Sequence, residues 1–214
     1  MVIAIDGPAG AGKSTVARGV ARALGFTYLD SGAMYRSLAL AALRAGAGLD
    51  DDETLGALAR EVEIQLDHGR VELDGNDVSA AIREPEVSAA SSRVSVHPQV
   101  RAAIVARQRE LVARGEYVAE GRDIGTVVSP DAPLKVFLTA SDAERARRRA
   151  ADTGESIDVV RVAQAERDAR DTGRELGALR PADDAIALDT TGLGIEEVIA
   201  RVVALARERG IGRA

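Results

Sequence analysis

A glycine-rich stretch near the start of the chain has the residue types and spacing of a phosphate-binding loop. It fills the pattern glycine, any four residues, Gly-Lys-Ser with Gly7, Gly12, Lys13 and Ser14. Glycines adopt backbone angles that other residues avoid, so successive peptide N–H groups can turn inward around a polyphosphate. We therefore predict that a nucleoside triphosphate is bound by Gly7, Pro8, Ala9, Gly10, Ala11, Gly12, Lys13, Ser14 and Thr15.

The residues on either side of this loop indicate a strand before it and a helix after it. The run Val2-Ile3-Ala4-Ile5 is apolar, and apolar residues recur with helical spacing from Val16 onward. The loop thus opens onto a helix N-terminus, where partial positive charge favours phosphate. We expect Lys13 on the terminal phosphates and the Ser14 hydroxyl on a magnesium ion. An ordinary glycine-rich turn is the alternative, but it does not require the strand, the helix and the lysine together.

Composition limits the class of protein and its partners. The chain has 214 residues, no cysteine and only 2% aromatic residues, so we expect one domain, or one domain with an insertion, around an aliphatic core. His68 and His97 are too few and too far apart for a zinc site. The net charge of -6 argues against general binding to nucleic acid. No apolar run is long enough to span a membrane, so we expect a cytoplasmic protein.

Five short apolar segments, separated by helical patterns, predict the strands of an α/β fold. They are Val2–Ile5, Phe26–Leu29, Tyr117–Ala119, Leu134–Leu138 and Ala185–Leu188. Polar residues follow the second strand in Asp30-Ser31-Gly32-Ala33-Met34-Tyr35-Arg36, and the third in Glu120-Gly121-Arg122-Asp123. Ligands bind beyond the carboxyl ends of strands in open parallel sheets, so we expect both segments at the site.

Two further regions depart from the alternation of strand and helix. Residues 62–79 alternate apolar and polar residues, with turns at Asp67-His68-Gly69 and 74–77, and predict a small antiparallel meander. The region between the fourth and fifth strands predicts two helices around a loop at 152–155, and it carries Arg145, Arg148, Arg149, Arg161, Arg167, Arg170 and Arg174. We interpret it as a mobile lid that brings guanidinium groups to phosphates, although arginines also serve solubility on surface helices.

Other classes of nucleotide-binding protein fit less well. Guanine-specific switches use an Asn-Lys-x-Asp element, whereas the only asparagine here is Asn76, in the meander. Nothing matches the His-Arg-Asp loop of protein kinases. A small kinase with an arginine-lined acceptor site remains. If the acceptor is a phosphate, its second pKa near ~6 leaves it ready to attack without a general base.

Four segments together resemble bacterial cytidylate kinases. They are the phosphate loop, Leu29–Arg36, Glu120–Val128 and Glu166–Asp171, and the likeness runs nearly end to end. The resemblance implies a nucleoside-monophosphate-kinase-like fold, with a five-stranded parallel sheet flanked by helices. It implies a single kinase domain over 1–214, with its core at 1–57, 94–147 and 175–214, a nucleotide-binding insert at about 58–93 and a lid at about 148–174.

The same resemblance implies transfer of the γ-phosphoryl group of ATP to CMP or dCMP with Mg2+, by a monomer. It places Ser92, Arg101 and Asp123 on cytosine, Arg167 and Asp171 on the ribose, and Ser31, Arg36, Arg122 and Arg174 on the acceptor phosphate, with Lys13, Arg122 and Arg174 catalytic. The chemistry agrees, since a carboxylate accepts from the amino group of cytosine and arginine donates to its ring nitrogen and carbonyl. The segment from Arg149 to Arg167 is shorter than in longer members of that family.

Alternatives remain open at this stage. Asp123 could cap a turn or pair with Arg122, Ser92 could cap a helix, and Asp171 could form surface pairs with Arg167 or Arg174. The chain could also be a phosphate-loop kinase for another metabolite, of the shikimate or dephospho-coenzyme A type. From a different class, it could be a module that senses ATP without catalysis.

Overall fold

The computed structural model describes residues 1–67 and 69–212. In chain order its elements are β1 (Val2–Asp6), α1 (Lys13–Leu24), β2 (Thr27–Asp30), α2 (Ser31–Arg44), α3 (Asp52–Glu61), β3 (Ile64–Asp67), β4 (Arg70–Leu73), β5 (Asn76–Asp77), α4 (Pro85–Val94), α5 (Pro98–Ala113), β6 (Tyr117–Gly121), β7 (Leu134–Thr139), α6 (Asp142–Thr153), α7 (Ile157–Thr172), β8 (Ile186–Asp189) and α8 (Ile195–Glu208). A π-helical turn, Ile124–Val128, follows β6.

The five predicted strands form one sheet in the order β2-β6-β1-β7-β8. The central strand β1 pairs in parallel with β6 on one side and β7 on the other, and β7 pairs in parallel with β8. All five residues of β1 are buried, as expected for a strand covered on both faces. The predicted fold class is therefore confirmed, with strand ends that move by one or two residues.

The predicted meander is also present within residues 62–79, and part of the turn predicted at 74–77 forms a short third strand, β5. β3, β4 and β5 form a separate sheet in which each neighbouring pair is antiparallel. Of the turn predicted before β4, His68 lies outside the described residues. The helical region that follows breaks where the sequence indicated, because Pro98 begins α5.

The chain divides into two compact units. The first comprises Met1–Leu29 and Val112–Ala214, and the second comprises Asp30–Leu111. In the first unit, aliphatic side chains from the sheet, α1 and α8 form the core, and the ring of Phe26 is buried among them. Among the described residues, no helix is both long and apolar enough to cross a membrane.

The backbone at the end of β1 passes very close to the neighbouring strand. Gly7 has φ of 147°, and a Cβ built on it would lie 2.1 Å from the carbonyl oxygen of Leu138 in β7. No side chain fits in that space, so the start of the glycine-rich loop is fixed by packing as well as by backbone freedom.

Replacing Gly7 with alanine should therefore destabilise the protein. The new methyl group meets a backbone atom of β7, and we expect the free energy of unfolding to fall by about 3 kcal/mol. Urea denaturation measures this loss. The matched control is Gly25→Ala, since Gly25 also has a positive φ but nothing lies within 4 Å of its Cβ position. Gly25→Ala should lower the free energy of unfolding by about 1 kcal/mol. An equal decrease in the two variants would contradict the packing argument.

Candidate active site

The glycine-rich loop leads directly into α1, as the sequence predicted. Gly10 and Gly12 both have positive φ, and Gly12 is the residue that caps the helix. The Lys13 side chain is buried, and its Nζ donates a hydrogen bond of 2.8 Å to the carbonyl oxygen of Pro8. The lysine thus folds over its own loop, with its ammonium group where the terminal phosphates of a nucleotide are expected.

An open cavity of about 470 Å³ lies against this loop. Its wall includes the loop, the α6 side chains Glu144 and Arg147–Arg149, and Thr190 after β8. Hydrogen bonds from Arg147 and then Arg148 lower the pKa of Glu144 to about 2. Arg148 also donates to the Thr190 hydroxyl and carbonyl oxygens, at 2.9 and 2.7 Å. The cavity therefore combines backbone amides with several cations, which suits a polyphosphate.

The residues at the cavity fit a magnesium ion that arrives with the nucleotide. Ser14 is exposed on the cavity wall and offers a hydroxyl oxygen, the kind of donor that Mg2+ prefers. Among residues 1–67 and 69–212, no group of three or more His, Cys, Asp or Glu side chains could hold a metal by itself. A site with one protein oxygen is typical of Mg2+ bound largely by phosphates and water.

Three arginines predicted to bind the acceptor nucleotide meet around one buried carboxylate, Asp171, which is itself a predicted ligand of the ribose. Asp171, in the last turn of α7, is only 1% exposed. Its Oδ2 accepts a hydrogen bond of 2.8 Å from Arg122 Nε, and its Oδ1 pairs with the guanidinium group of Arg174. Arg167 Nε lies 3.9 Å from Oδ2. Asp171 therefore makes both of the helix pairs given as the alternative, with Arg167 and Arg174, but it is buried instead of on the surface and also binds Arg122 after β6.

The charges of this cluster affect one another and the loop lysine. Burial alone would raise the pKa of Asp171, but Arg122, Arg174 and Arg167 outweigh it and hold that pKa below its usual range. Burial, followed by the charge of Arg122, lowers the pKa of Lys13 to about 7. Arg122 is therefore close enough to Lys13 for the two cations to repel, and anionic ligands would relieve that repulsion.

Asp123 begins the π-helical turn that follows β6. The Asp123 side chain is buried and makes no capping hydrogen bond to the turn. The turn is held instead by Asp6, whose Oδ1 accepts from Ile124 N at 2.9 Å and whose Oδ2 accepts from Gly125 N at 2.7 Å. Burial raises the pKa of Asp6 to about 6, although both backbone hydrogen bonds oppose that rise. Asp6 thus fixes the segment that carries Arg122 and Asp123.

In the second unit, the residues after β2 are arranged around Asp30. Its Oδ1 caps α2 by accepting from Ala33 N at 2.8 Å, and its Oδ2 accepts from Arg36 at 2.9 Å. Ser31, the first residue of the helix, is buried. A Cβ at Gly32 would lie 3.0 Å from the Arg36 guanidinium, so the glycine leaves room for this pair.

The other two predicted residues of the second unit lie on α4 and α5. Ser92 is buried within α4, and its hydroxyl has no hydrogen-bond partner among the described residues. It does not cap the helix, since the residue at the helix end is Ser95. Arg101 is buried in the first turn of α5, and its guanidinium lies 3.4 Å from the hydroxyl oxygen of Tyr35. A buried hydroxyl without a partner is available to a ligand or a water molecule.

Several residues that shape the site were given no role by the sequence reasoning. Asp6 had a signal, because it is an acid that ends an otherwise apolar strand directly before Gly7. Glu120 is buried and accepts a hydrogen bond from Tyr28, and its charge opposes the fall in the pKa of Lys13. Thr190 gave no signal, since its contacts are with the distant Thr139 and Arg148.

The lid arginines fall into different environments. Arg148 and Arg149 line the cavity beside the glycine-rich loop, whereas Arg161 is exposed on α7 and pairs with Asp158 at 3.3 Å. Arg145 is buried and binds the carbonyl oxygen of Ala9 within the loop, at 3.0 Å. The solubility interpretation therefore fits Arg161 and does not fit Arg145 or Arg148.

Comparison with known proteins adds to this geometry. The family model described as cytidylate kinase matches residues 3–208. A cytidylate kinase of Desulfitobacterium hafniense (strain Y51) is 50% identical over 97% of this chain and 93% of its own length. One of Solibacter usitatus (strain Ellin6076) is 48% identical over 98% and 93%. A gluconokinase structure from Sinorhizobium meliloti 1021 has a TM-score of 0.53 at 19% identity, covering 98% of this chain and 93% of that chain, a likeness of fold alone.

The raised pKa of Asp6 predicts a pH-dependent cost to stability. The pKa of about 6 in the folded state lies above the ordinary value of 3.8 for this carboxyl group, so the group favours the folded state only while it is protonated. As pH rises from about 4 to 6, wild type should lose up to about 3 kcal/mol relative to Asp6→Asn, which does not titrate, and the difference should level off above pH 6. Urea denaturation of both proteins between pH 4 and 7 measures the difference.

The matched control is Asp184→Asn. Asp184 binds Lys135 at 2.8 Å, and the hydrogen bond from Lys135 lowers its pKa. The difference between wild type and this variant should stay constant over the same range, because Asp184 is ionised throughout. A constant difference for Asp6→Asn as well would show that Asp6 is not held in a costly ionised state.

Proposed function

Because the chain belongs to the cytidylate kinase family, we propose that it transfers the γ-phosphoryl group of ATP to CMP and dCMP. The products are ADP and CDP or dCDP. The observation that carries the proposal is the arginine cluster on Asp171, which lies close enough to Lys13 for its charge to lower the pKa of that lysine. One site for a donor phosphate thus stands beside cations that can bind a second, acceptor phosphate.

In the proposed reaction an oxygen of the acceptor phosphate attacks the γ-phosphorus atom of ATP. A bond forms between that oxygen and phosphorus while the bond from phosphorus to the β–γ bridging oxygen breaks, and the electron pair leaves with ADP. The acceptor phosphate is mostly a dianion at neutral pH, because its second pKa is near ~6, so no general base is needed. The protein must align the groups and neutralise their charge.

The donor is held by the glycine-rich loop. Its backbone N–H groups bind the β- and γ-phosphates, and Lys13 moves from the Pro8 carbonyl oxygen to the terminal phosphates. Ser14 would hold Mg2+, which would supply positive charge to neutralise the phosphates. Arg148 and Arg149 line the same cavity and add positive charge on the side of α6.

The acceptor phosphate is proposed to bind Arg122 and Arg174. Ser31 and Arg36 are proposed as further ligands of that phosphate. Arg122 and Arg174 are already oriented by Asp171, so little side-chain entropy is lost when the phosphate binds. Arg167 and Asp171 are proposed to bind the ribose. Their location on the last turns of α7 keeps them next to the two catalytic arginines.

Cytosine is proposed to bind Asp123, Arg101 and Ser92. The carboxylate of Asp123 accepts from the exocyclic amino group, and Arg101 donates to the ring nitrogen and carbonyl oxygen. The Ser92 hydroxyl, which has no hydrogen-bond partner in the described part of the chain, gains one. Uracil turns a carbonyl oxygen toward Asp123, so two acceptors face each other without a proton, which disfavours UMP.

We further propose the roles of the two remaining regions. Residues 58–93 form the nucleotide-binding insert, and residues 148–174 form the lid, in a cytoplasmic monomer.

A phosphate-loop kinase for another metabolite and a non-catalytic ATP sensor are no longer favoured, because the family match extends over residues 3–208.

A panel of nucleoside monophosphates tests the base specificity. With Mg-ATP, ADP should form fastest with CMP and dCMP, and Asp123→Ala should lower kcat/KM for CMP by about 100-fold, because the cytosine amino group loses its carboxylate acceptor. The KM for ATP should change by less than about twofold. Asp131→Ala removes an exposed acid from the following loop and serves as the control. Faster turnover of AMP or GMP would refute the cytidine assignment.

Magnesium dependence tests the role of Ser14. Ser14→Ala should raise the Mg2+ concentration for half-maximal activity at least about tenfold, because the metal loses its one protein oxygen. Activity is measured at fixed ATP while Mg2+ is varied. Thr15→Ala removes the neighbouring exposed hydroxyl and should leave the Mg2+ requirement within about twofold. Equal behaviour of the two variants would exclude Ser14 as the metal ligand.

A further inference from the structure

The middle of α7 lies directly against the glycine-rich loop. Gln164 is buried, and its Nε2 donates to the carbonyl oxygen of Arg145 at 3.3 Å. A Cβ built on Gly10 would lie 2.7 Å from Gln164 Nε2 and 3.0 Å from Arg145 Cβ. The loop and the helix are therefore in contact, and a shift of one must displace the other.

Arg145 connects the loop to the helix through charge as well as packing. One guanidinium nitrogen, Nη1, donates to Ala9 O at 3.0 Å and lies 2.7 Å from Asp168 Oδ2 on α7. Nη2 binds Asp142 at 2.7 Å, but that carboxylate is 85% exposed and contributes little. Arg145 is only 7% exposed, so its pairing with Asp168 is largely shielded from water.

The same helix ends at the acceptor arginines. One turn beyond Asp168, Asp171 binds Arg122 at 2.8 Å and also pairs with Arg174. Thus α7 is joined to the donor loop through Asp168 and to the acceptor cluster through Asp171. Three residues of a rigid helix separate the two connections.

We propose that Arg145 and Asp168 are positioning residues that transmit occupancy of the glycine-rich loop to the acceptor site through α7. This inference rests on the proposed function, because it concerns how ATP and CMP bind together. When phosphates hold the loop in place, the carbonyl oxygen of Ala9 holds Arg145, and Arg145 in turn holds Asp168. The next turn of α7 then keeps Asp171 and the arginines paired with it in position. ATP and CMP then strengthen each other's binding.

Stability alone does not account for this ion pair. An apolar pair of similar volume usually stabilises a core at least as well as a buried ion pair. What an apolar pair lacks is direction, since Arg145 must meet a carbonyl oxygen and a carboxylate at fixed angles. Asp168 Oδ1 is buried without a hydrogen-bond partner among the described residues, so the carboxylate is held through its other oxygen.

Binding measurements on single and double variants test the inference. In wild type, the imido analogue of ATP should tighten CMP binding about fivefold or more, as measured by titration calorimetry. Asp168→Asn keeps the shape but removes the charge, and should reduce this factor to below about twofold. Arg145→Gln should do the same, and the double variant should resemble either single one. In each variant, kcat/KM for CMP should fall about tenfold or more.

Two controls remove equivalent charges elsewhere. Asp158→Asn alters an acid on the same helix that is 86% exposed, and Arg201→Gln alters an exposed arginine on α8. Both should keep the wild-type factor. Loss of a purely structural contact would weaken CMP binding with and without the analogue alike, leaving the factor unchanged, and that result would overturn the inference. So would the absence of any tightening in wild type. Failure of wild type to phosphorylate CMP is a separate result, which overturns the proposed function instead.

Discussion

The site depends on balancing positive charge that has been removed from water. Asp171 is almost fully buried and binds Arg122 and Arg174, with Arg167 near the same oxygen. Without a carboxylate at that point, the cations would repel one another and turn toward solvent. With it, Arg122 and Arg174 are held in place before any ligand arrives, and the charges of Arg122 and Arg167 lower the pKa of Lys13. Folding therefore places these charges in a fixed arrangement at a cost in stability, and anionic ligands then balance the positive charge.

The backbone around the site is as constrained as its charges. Gly7 lies against the Leu138 carbonyl, and Gly125 lies against the Lys135 side chain and the carboxylate of Asp6. Both glycines leave space that the neighbouring atoms fill. Asp6 occupies the junction, where it ends β1 and holds the turn after β6 through two backbone N–H groups. Burial raises the pKa of Asp6, so its ionised form costs stability while it fixes the turn that carries Arg122 and Asp123.

The fold of this protein does not by itself specify which acceptor it binds. The gluconokinase from Sinorhizobium meliloti is 19% identical to this chain, and the two proteins are alike in fold alone. The glycine-rich loop explains how a triphosphate is bound but says nothing about the acceptor. The residues proposed for the acceptor lie after β6 and on α7, with Ser92 and Arg101 in the second unit. The cytidylate kinase relatives are 48–50% identical to this chain over nearly its whole length.

The strands, the meander and the phosphate loop could be predicted from the amino-acid sequence alone. Those features depend on local periodicity and on residue types at fixed spacing, such as Gly7, Gly12 and Lys13. The segments that carry the acceptor residues were found through family resemblance. Which charged side chains bind which partners follows from tertiary packing. Arg122 binds Asp171, 49 residues away, and Arg145 donates to the carbonyl oxygen of Ala9, 136 residues away. No local pattern encodes such contacts, because their partners are set by how helices and strands pack. The same packing buries Asp6 and Ser92, so the state of a side chain that looks ordinary in the sequence is decided by its surroundings.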